Sequence, residues 1–482
     1  MNGYISTQEA ATKWGLTTRR VQILCSENRI EKAVKHAGTW VIPENAPRPA
    51  KKIKSSQQLK RTLNVLSLFS GCGGMDLGFE GDFDVLDCAI NPLVNPNWNA
   101  KQTFETNWVH LDKSRFHTVF ANDIRETAKL AWTRYFSKKG ICESTYYLDS
   151  IVDIVKLQKE NGVNIFPQNI DVITGGFPCQ DFSVAGKRLG FQSDKSHKGT
   201  QNNNDAPNIE SRGQLYMWMR KVVALTKPKI FIAENVKGLF NLDDVKEVIE
   251  KDFSTVCDNG YLIVPARILH AADYGVPQSR ERVIFFGFKK SELTNDAIKA
   301  LSSPSVPQEY DPYPLRTHNY TNKNDDCVNL LPPTRVSQAF TGLEEPACSN
   351  DLSQVRYSKA KYMGKHCQGQ NEVDINSIAP TIRSEHHGNI EYRRLSLEHG
   401  GKIIDELNAS LLERRLTVRE CARIQTFPDD YEFVFTGEEG NKGVSASEAY
   451  KLVGNAVPPL LAYHIAKRLE SNWDKYFGEE LE

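Results

Sequence analysis

Four groups of residues in this chain have the types and spacing to do chemistry together. Cys179 lies in ITGGFPCQDFSVAGKRLG (173–190), where an apolar run enters two glycines, then Phe, Pro and the thiol. Glycine permits unusual backbone angles and proline fixes its own, so the thiol sits on a rigid turn just past a strand. It is either a nucleophile or one more small buried hydrophobe, since free cysteine is among the most buried residue types. Glu234 opens ENV (234–236) at the end of a second apolar run, and Arg280 and Arg282 belong to QSRERV (278–283). FSGCGG (69–74) turns on glycines directly after LNVLSL. Taken singly, Glu234 reads as a helix-capping acid and the two arginines as surface charges. Together, a thiol, a carboxylate, guanidinium groups and a glycine crevice read as nucleophilic and acid–base chemistry beside a bound cofactor.

These groups converge only if strands of one sheet present them at a common edge. Strand-like runs alternate with helical ones: LNVLSL, HTVFANDI and ETAKLAWTRYF, DVITGG, QLYMWMRKVVALT, KIFIAEN, RVIFFGF. That alternation predicts an α/β, doubly wound, mainly parallel sheet, whose strand C-termini open on one ligand-binding edge. QSRERV precedes its strand and needs a loop to bring it to that edge. The glycine turn after the first strand is a nucleotide signal, weak by itself. Asp76 stands where the dinucleotide pattern wants a third glycine, which favours an adenosine-bearing ligand without a pyrophosphate. A ribose-binding acid is expected about 20 residues after the turn. Asp87 has the spacing, Asp123 the strand-end context; Asp123 is preferred, with 81–118 read as an insertion.

The predicted organisation is a winged helix-turn-helix over 1–50, a Pro/Lys-rich linker over 51–62, a catalytic and cofactor-binding domain over 63–289, an irregular, strand-poor domain over 290–410 and a return to the catalytic domain over 411–482. In the first unit Ser6 and Glu9 form a capping-box pattern, Ala10, Ala11 and Trp14 one apolar face, and Val21, Leu24 and Cys25 another. GTWVIP reads as a short strand, and the SEAYKLVGNAVPPLLAYHIAKRLE segment as a turn and a long helix. Net charge over the 482 residues is zero, but residues 1–60 carry eleven Lys/Arg against four Asp/Glu. Ten scattered cysteines with no C-x-x-C pair argue against a zinc ribbon or a disulfide framework. No metal site is expected. Mean hydropathy is −0.48 and no run reaches membrane-spanning length, so a cytoplasmic protein without membrane contact is expected.

FSGCGG (69–74), GGFPCQDFS (175–183), ENV (234–236), QSRER (278–282), RLTVRECARIQTFPDDY (415–431) and GNAVPP (454–459) occur in the order in which they stand in one family. The chain resembles a DNA (cytosine-5)-methyltransferase of the bacterial restriction-modification type, over about 63–289 and 413–470. The resemblance implies S-adenosylmethionine at Phe69, Ser70, Gly71, Gly73 and Gly74. It implies Asp123 on the ribose hydroxyls, a shorter acid than the family's usual Glu, and Asp149 near the adenine amino group. Asn455 of GNAV closes that site. Double-stranded DNA is the implied partner, with the irregular 290–410 stretch as the target-recognition region. A separately encoded restriction endonuclease and a monomeric enzyme are further expectations.

Cytosine C5 is a poor nucleophile until a thiolate adds at C6, the role implied for Cys179 behind Pro178. Glu234 then shares a proton at N3, and Arg282, with Arg280 as a second candidate, holds O2 or a phosphate of the flipped nucleotide. Gln180, Ser183 and Arg383, together with Arg19 and Arg20 of the first unit, are the expected DNA contacts. The long polar stretch after Cys179 reads as a lid that orders on DNA. Two alternatives stand beside this reading: an RNA cytosine-5 methyltransferase, and a transcription regulator with a vestigial methyltransferase core.

Overall fold

The computed structural model describes every residue except 1–2, 15, 27–29, 31, 37–38, 48–59, 99, 104–106, 178–214, 242–244, 258, 322–328, 385–389, 438–441 and 480–482. The chain divides into two units, one within residues 1–60 and one over Arg61–Glu480. In the first, β1 (Tyr4–Ser6) runs into α1 (Thr7–Trp14), followed by α2 (Thr18–Ser26), β2 (Val34–His36) and β3 (Thr39–Pro43). The capping box closes as its spacing predicts: the Glu9 amide donates to Ser6 Oγ at 3.2 Å and the Ser6 amide to Glu9 Oε2 at 2.8 Å. Ala10, Ala11 and Trp14 are buried with Val21, Leu24, Cys25 and Ile42. The single strand expected at GTWVIP is the centre of a three-stranded antiparallel sheet, ordered β1-β3-β2.

The second unit begins with β4 (Leu63–Leu68), α3 (Gly74–Glu80) and the small strands β5 (Phe83–Leu86), β6 (Ala100–Gln102) and β7 (Trp108–Leu111). Then come β8 (Phe116–Asp123), α4 (Glu126–Phe136), β9 (Tyr146–Leu148), α5 (Ile151–Asn161), β10 (Val172–Gly175), α6 (Leu215–Thr226), β11 (Ile230–Val236), α7 (Val245–Ser254), β12 (Tyr261–His270) and β13 (Glu281–Lys289). A seven-stranded sheet is ordered β12-β13-β11-β10-β4-β8-β9. From β11 to β9 every pairing is parallel, while β13 is antiparallel to both its neighbours. Both faces are covered. Leu63 and Val65 of β4 enter one core, Leu66 and Leu68 the other, as a two-residue period requires. Each such side chain, fully buried, contributes about 1.5–3 kcal/mol. β5, β6 and β7 form their own antiparallel sheet inside the 81–118 insertion.

Beyond β13 regular structure thins to α8 (Asn295–Leu301), α9 (Val336–Ala339), α10 (Leu352–Val355), β14 (Tyr392–Arg394) and α11 (Ile404–Asn408). Strand β14 pairs with β15 (Arg414–Arg415), which leads into α12 (Val418–Ile424), α13 (Ala446–Asn455) and α14 (Pro459–Phe477). Irregular backbone leaves carbonyls that no ladder satisfies, and buried arginines take them up. Arg415 donates to the carbonyls of Ala360 (3.1 Å), Gly369 (2.7 Å) and Ile390 (2.5 Å), with its guanidinium 4.2 Å above the Tyr392 ring. The turn and the long helix expected over SEAYKLVGNAVPPLLAYHIAKRLE are present, and ahead of the turn lies a further helix that was not expected, α13, capped by the Ser445 side chain. The turn before α14 is only Ala456–Pro458. Among the described residues no helix is long and apolar enough to cross a membrane.

Candidate active site

The glycine turn leaves β4 through Phe69, Gly71 and Gly73, all at positive φ (54°, 54° and 78°), which lets the backbone fold under the N-terminus of α3. Ser70 locks the turn to β8. Its amide donates to the Asn122 carbonyl at 2.8 Å, and its hydroxyl accepts the Asn122 amide at 3.0 Å. Asp123, at the end of β8, accepts the Gly71 amide at 3.1 Å and the Arg125 amide at 3.0 Å. Burial pushes its carboxyl above the usual range, against those hydrogen bonds. Asp149 is exposed past β9, and its carbonyl is held by the Asn122 side chain at 2.8 Å. Asn455 is exposed at the end of α13. Gly74 touches the next turn: a Cβ there would stand 2.3 Å from the Val457 carbonyl oxygen.

Asp76, read from sequence only as a missing glycine, is a buried acceptor beneath this turn. Ser67 Oγ donates to it at 2.5 Å and Trp132 Nε1 at 2.7 Å, while burial pushes its pKa up to about 6. Its role was signalled only by an acid in the first turn of a short helix that is apolar between Asp76 and Glu80.

The second cluster is built on β11 and β13. Glu234 pairs in register with Ile284, and Val236 with Arg282, so the side chains of Glu234 and Arg282 lie diagonally on one face. Arg282 Nε meets Glu234 Oε1 at 2.6 Å, each side chain 11% exposed. A charged pair this enclosed is held by geometry, since either partner alone would be costly to bury. Gly176 makes room for the carboxylate: a Cβ there would come within 2.8 Å of Glu234 Oε2. Beside it, Asn235 Nδ2 donates to the Phe177 carbonyl at 3.1 Å, pinning the chain two residues before Cys179. Asn235 escaped the sequence reading, although it stands in ENV. Pro178, Cys179, Gln180 and Ser183 lie outside the described residues.

Arg280 requires a correction. The sequence reading offered it to O2 or to a phosphate, but it is fully buried and its guanidinium is engaged with backbone. It donates to the carbonyls of Ile382 (3.1 Å), Gly454 (2.9 Å) and Ala456 (2.7 Å). Arg282 alone of the pair reaches Glu234. Arg383 and Arg19 are exposed. Arg19 belongs to the separate first unit, and the side chain of Arg20 lies outside the described residues.

The C-5 cytosine-specific DNA methylase family matches residues 63–471, from the first residue of β4 into α14. The chain belongs to that family. The Type II methyltransferase M.BsuRI of Bacillus subtilis is 31% identical over 421 residues, covering 85% of this chain and 80% of that one. M.BspRI of Lysinibacillus sphaericus is 31% identical over 423 residues, covering 84% and 81%. M.NgoFVII of Neisseria gonorrhoeae is 28% identical over 430 residues, covering 87% and 90%. This C-5 methylase is thus an enzyme that transfers the methyl group of S-adenosylmethionine to C5 of cytosine in DNA. The matched span begins at residue 63, beyond the first unit.

Proposed function

We propose that this enzyme methylates one cytosine within a specific double-stranded site, with Cys179, Glu234 and Arg282 acting on a flipped base. The observation that carries the reading is the 2.6 Å Glu234–Arg282 pair over Gly176, beside the backbone that leads to Cys179. C6 is out of reach inside a duplex, so the base is extruded at a cost of a few kcal/mol. The Cys179 thiolate forms a bond to C6, and the electron pair moves toward C5. Glu234 shares a proton at N3, which relieves the charge pushed into the ring. Arg282 orients Glu234 and offers its remaining N–H groups to O2. S-adenosylmethionine, held in the glycine crevice, would supply the electrophilic methyl group that C5 takes up, with its sulfonium leaving as the neutral thioether of S-adenosylhomocysteine. Water takes the C5 proton, and the C6–S bond breaks to release the thiolate. For the cofactor, Phe69, Ser70, Gly71, Gly73 and Gly74 form the crevice, Asp123 holds the ribose, Asp149 the adenine amino group, and Asn455 closes the site. The positive-φ turn and the strand-end acids Asp123 and Asp149 fit an adenosine-bearing ligand.

Bisulfite sequencing of DNA from cells that express the chain tests the activity and reads out the site. Cytosines protected at one short sequence are expected; an unprotected genome, with methyl label entering tRNA instead, would overturn the reading. A restriction endonuclease that cuts the same sequence is the proposed partner, and the enzyme is proposed to act as a monomer.

Recognition is assigned to 290–410, with Arg383 as a base or phosphate contact and Gln180 and Ser183 at the flipped nucleotide. The catalytic core accepts any cytosine, so the neighbouring bases have to be read elsewhere. Grafting 290–410 from a related methylase is expected to carry the methylated sequence with it. A graft that stays active at the original sequence would refute the assignment.

Residues 1–50 are proposed as a helix-turn-helix that grips DNA through Arg19 and Arg20. Two successive helices and a small antiparallel sheet whose strands flank them in the chain support this, as does the excess of Lys/Arg in 1–60. Deleting 1–60 is expected to leave turnover at saturating DNA nearly intact. It is expected to weaken binding at low salt and to flatten the dependence of log affinity on log salt by about 0.9 per lost phosphate contact. Titration of both proteins with fluorescent duplex at several salt concentrations checks this. Equal affinities with equal slopes would leave the unit as a protein-contact module.

A further inference from the structure

Three fully buried polar side chains tie the recognition segment to the cofactor turn. Gln278 Nε2 donates to Gln425 Oε1 at 2.7 Å, and Gln278 Oε1 accepts the Ile382 amide at 3.0 Å. Gln425 Nε2 donates to the carbonyls of Val453 (2.7 Å) and Ala456 (3.1 Å). Arg280 joins two of these stretches, 382 and 454–456, through the carbonyls of Ile382, Gly454 and Ala456. Its charge is eased by the C-terminal carbonyls of α13. Gly454 has no space beside it: a Cβ would lie 2.3 Å from Arg383 C and 2.5 Å from Ser384 N. On the other side of this turn, Val457 abuts Gly74. From the exposed Arg383 to the glycine turn, the path is close-packed backbone clamped by buried hydrogen bonds. Such contacts pass a displacement on rather than absorbing it.

We propose that Gln278, Arg280 and Gln425 are positioning residues of a buried joint that makes cofactor affinity depend on DNA contact at segment 380–384. This rests on the reading that Gly71–Gly74 and Asn455 hold the cofactor and that Arg383 meets DNA. A DNA contact that fixes Arg383 fixes the wall on which Gly454 rests, and with it Asn455 and the Gly74 side of the crevice. Linkage makes the effect reciprocal, so cofactor tightens DNA by the same factor.

The test uses the full-length protein and S-adenosylhomocysteine, which binds without turnover. Its Kd is measured by calorimetry with and without a duplex carrying the sequence found by bisulfite sequencing. For the wild type the ratio is expected at about 5- to 150-fold. In Arg280→Lys one ammonium cannot span three carbonyls, and in Gly454→Ala the Cβ collides with the 383–384 peptide. Both are expected to bring the ratio toward one. Arg383→Ala, which removes the DNA contact itself, is expected to weaken DNA binding and to bring the ratio toward one as well. Should the first two variants lose their cooperative melting transition, Thr381→Val replaces them; it removes only a half-buried hydroxyl that donates to the Ser279 carbonyl. A wild-type ratio of one, or a ratio unchanged in folded joint variants, overturns the joint and leaves the active-site reading standing. No binding of S-adenosylhomocysteine to the wild type under either condition would overturn the cofactor reading and the joint with it.

Discussion

Cys179→Ser is expected to abolish methyl transfer while cofactor and DNA binding persist. Serine has a similar shape, but its hydroxyl does not ionise near neutral pH, whereas a free thiol with a pKa near 8.5 is already a few per cent thiolate. Without a thiolate adding at C6, C5 stays too weak a nucleophile to take the methyl group. DNA containing 5-fluorocytosine gives the complementary result. The wild type is expected to be trapped covalently, since fluorine cannot leave C5 as a proton, and the serine variant is expected to form no such adduct. Turnover by Cys179→Ser near the wild-type rate, or a trapped serine adduct, would remove the mechanism.

Glu234→Gln is expected to lower the single-turnover rate by about 10²–10⁴-fold, the range typical of general acid–base catalysis, with cofactor affinity little changed. The amide fits the space that Gly176 leaves for the carboxylate, and it can still accept from Arg282 Nε. It cannot share a proton with N3. The substitution also leaves the Arg282 charge enclosed without its counter-ion, so some loss of thermal stability accompanies it. Measuring the melting transition beside the single-turnover rate separates the two effects. A folded Glu234→Gln protein with an unchanged chemical step would take Glu234 out of the reaction.

Features of this protein that depend on local backbone and side-chain type were legible in the sequence. The Ser6–Glu9 cap, the glycine turn after LNVLSL and the strand-end positions of Glu234 and Asp123 each follow from a few adjacent residues. So does the parallel core of the sheet, because strands buried on both faces read as continuous apolar runs. The six motifs together sufficed to suggest the family. Which arginine of QSRER meets the carboxylate was not legible. Arg280 and Arg282 look alike in the chain, and their roles are divided by carbonyls at 382, 454 and 456, between 102 and 176 residues away. Asp76 likewise looked like a departure from a glycine pattern until folding set it between Ser67 and Trp132. The helix α13 was not legible ahead of the turn at Ala456–Pro458, because it is short and its stability comes from packing, with Leu452 and Val453 in the core, more than from local preference. Local chemistry therefore fixed which residues are available for catalysis. Long-range packing decided which of them face the crevice and which hold it together, because the partners of a buried polar group come from whatever chain the fold lays against it.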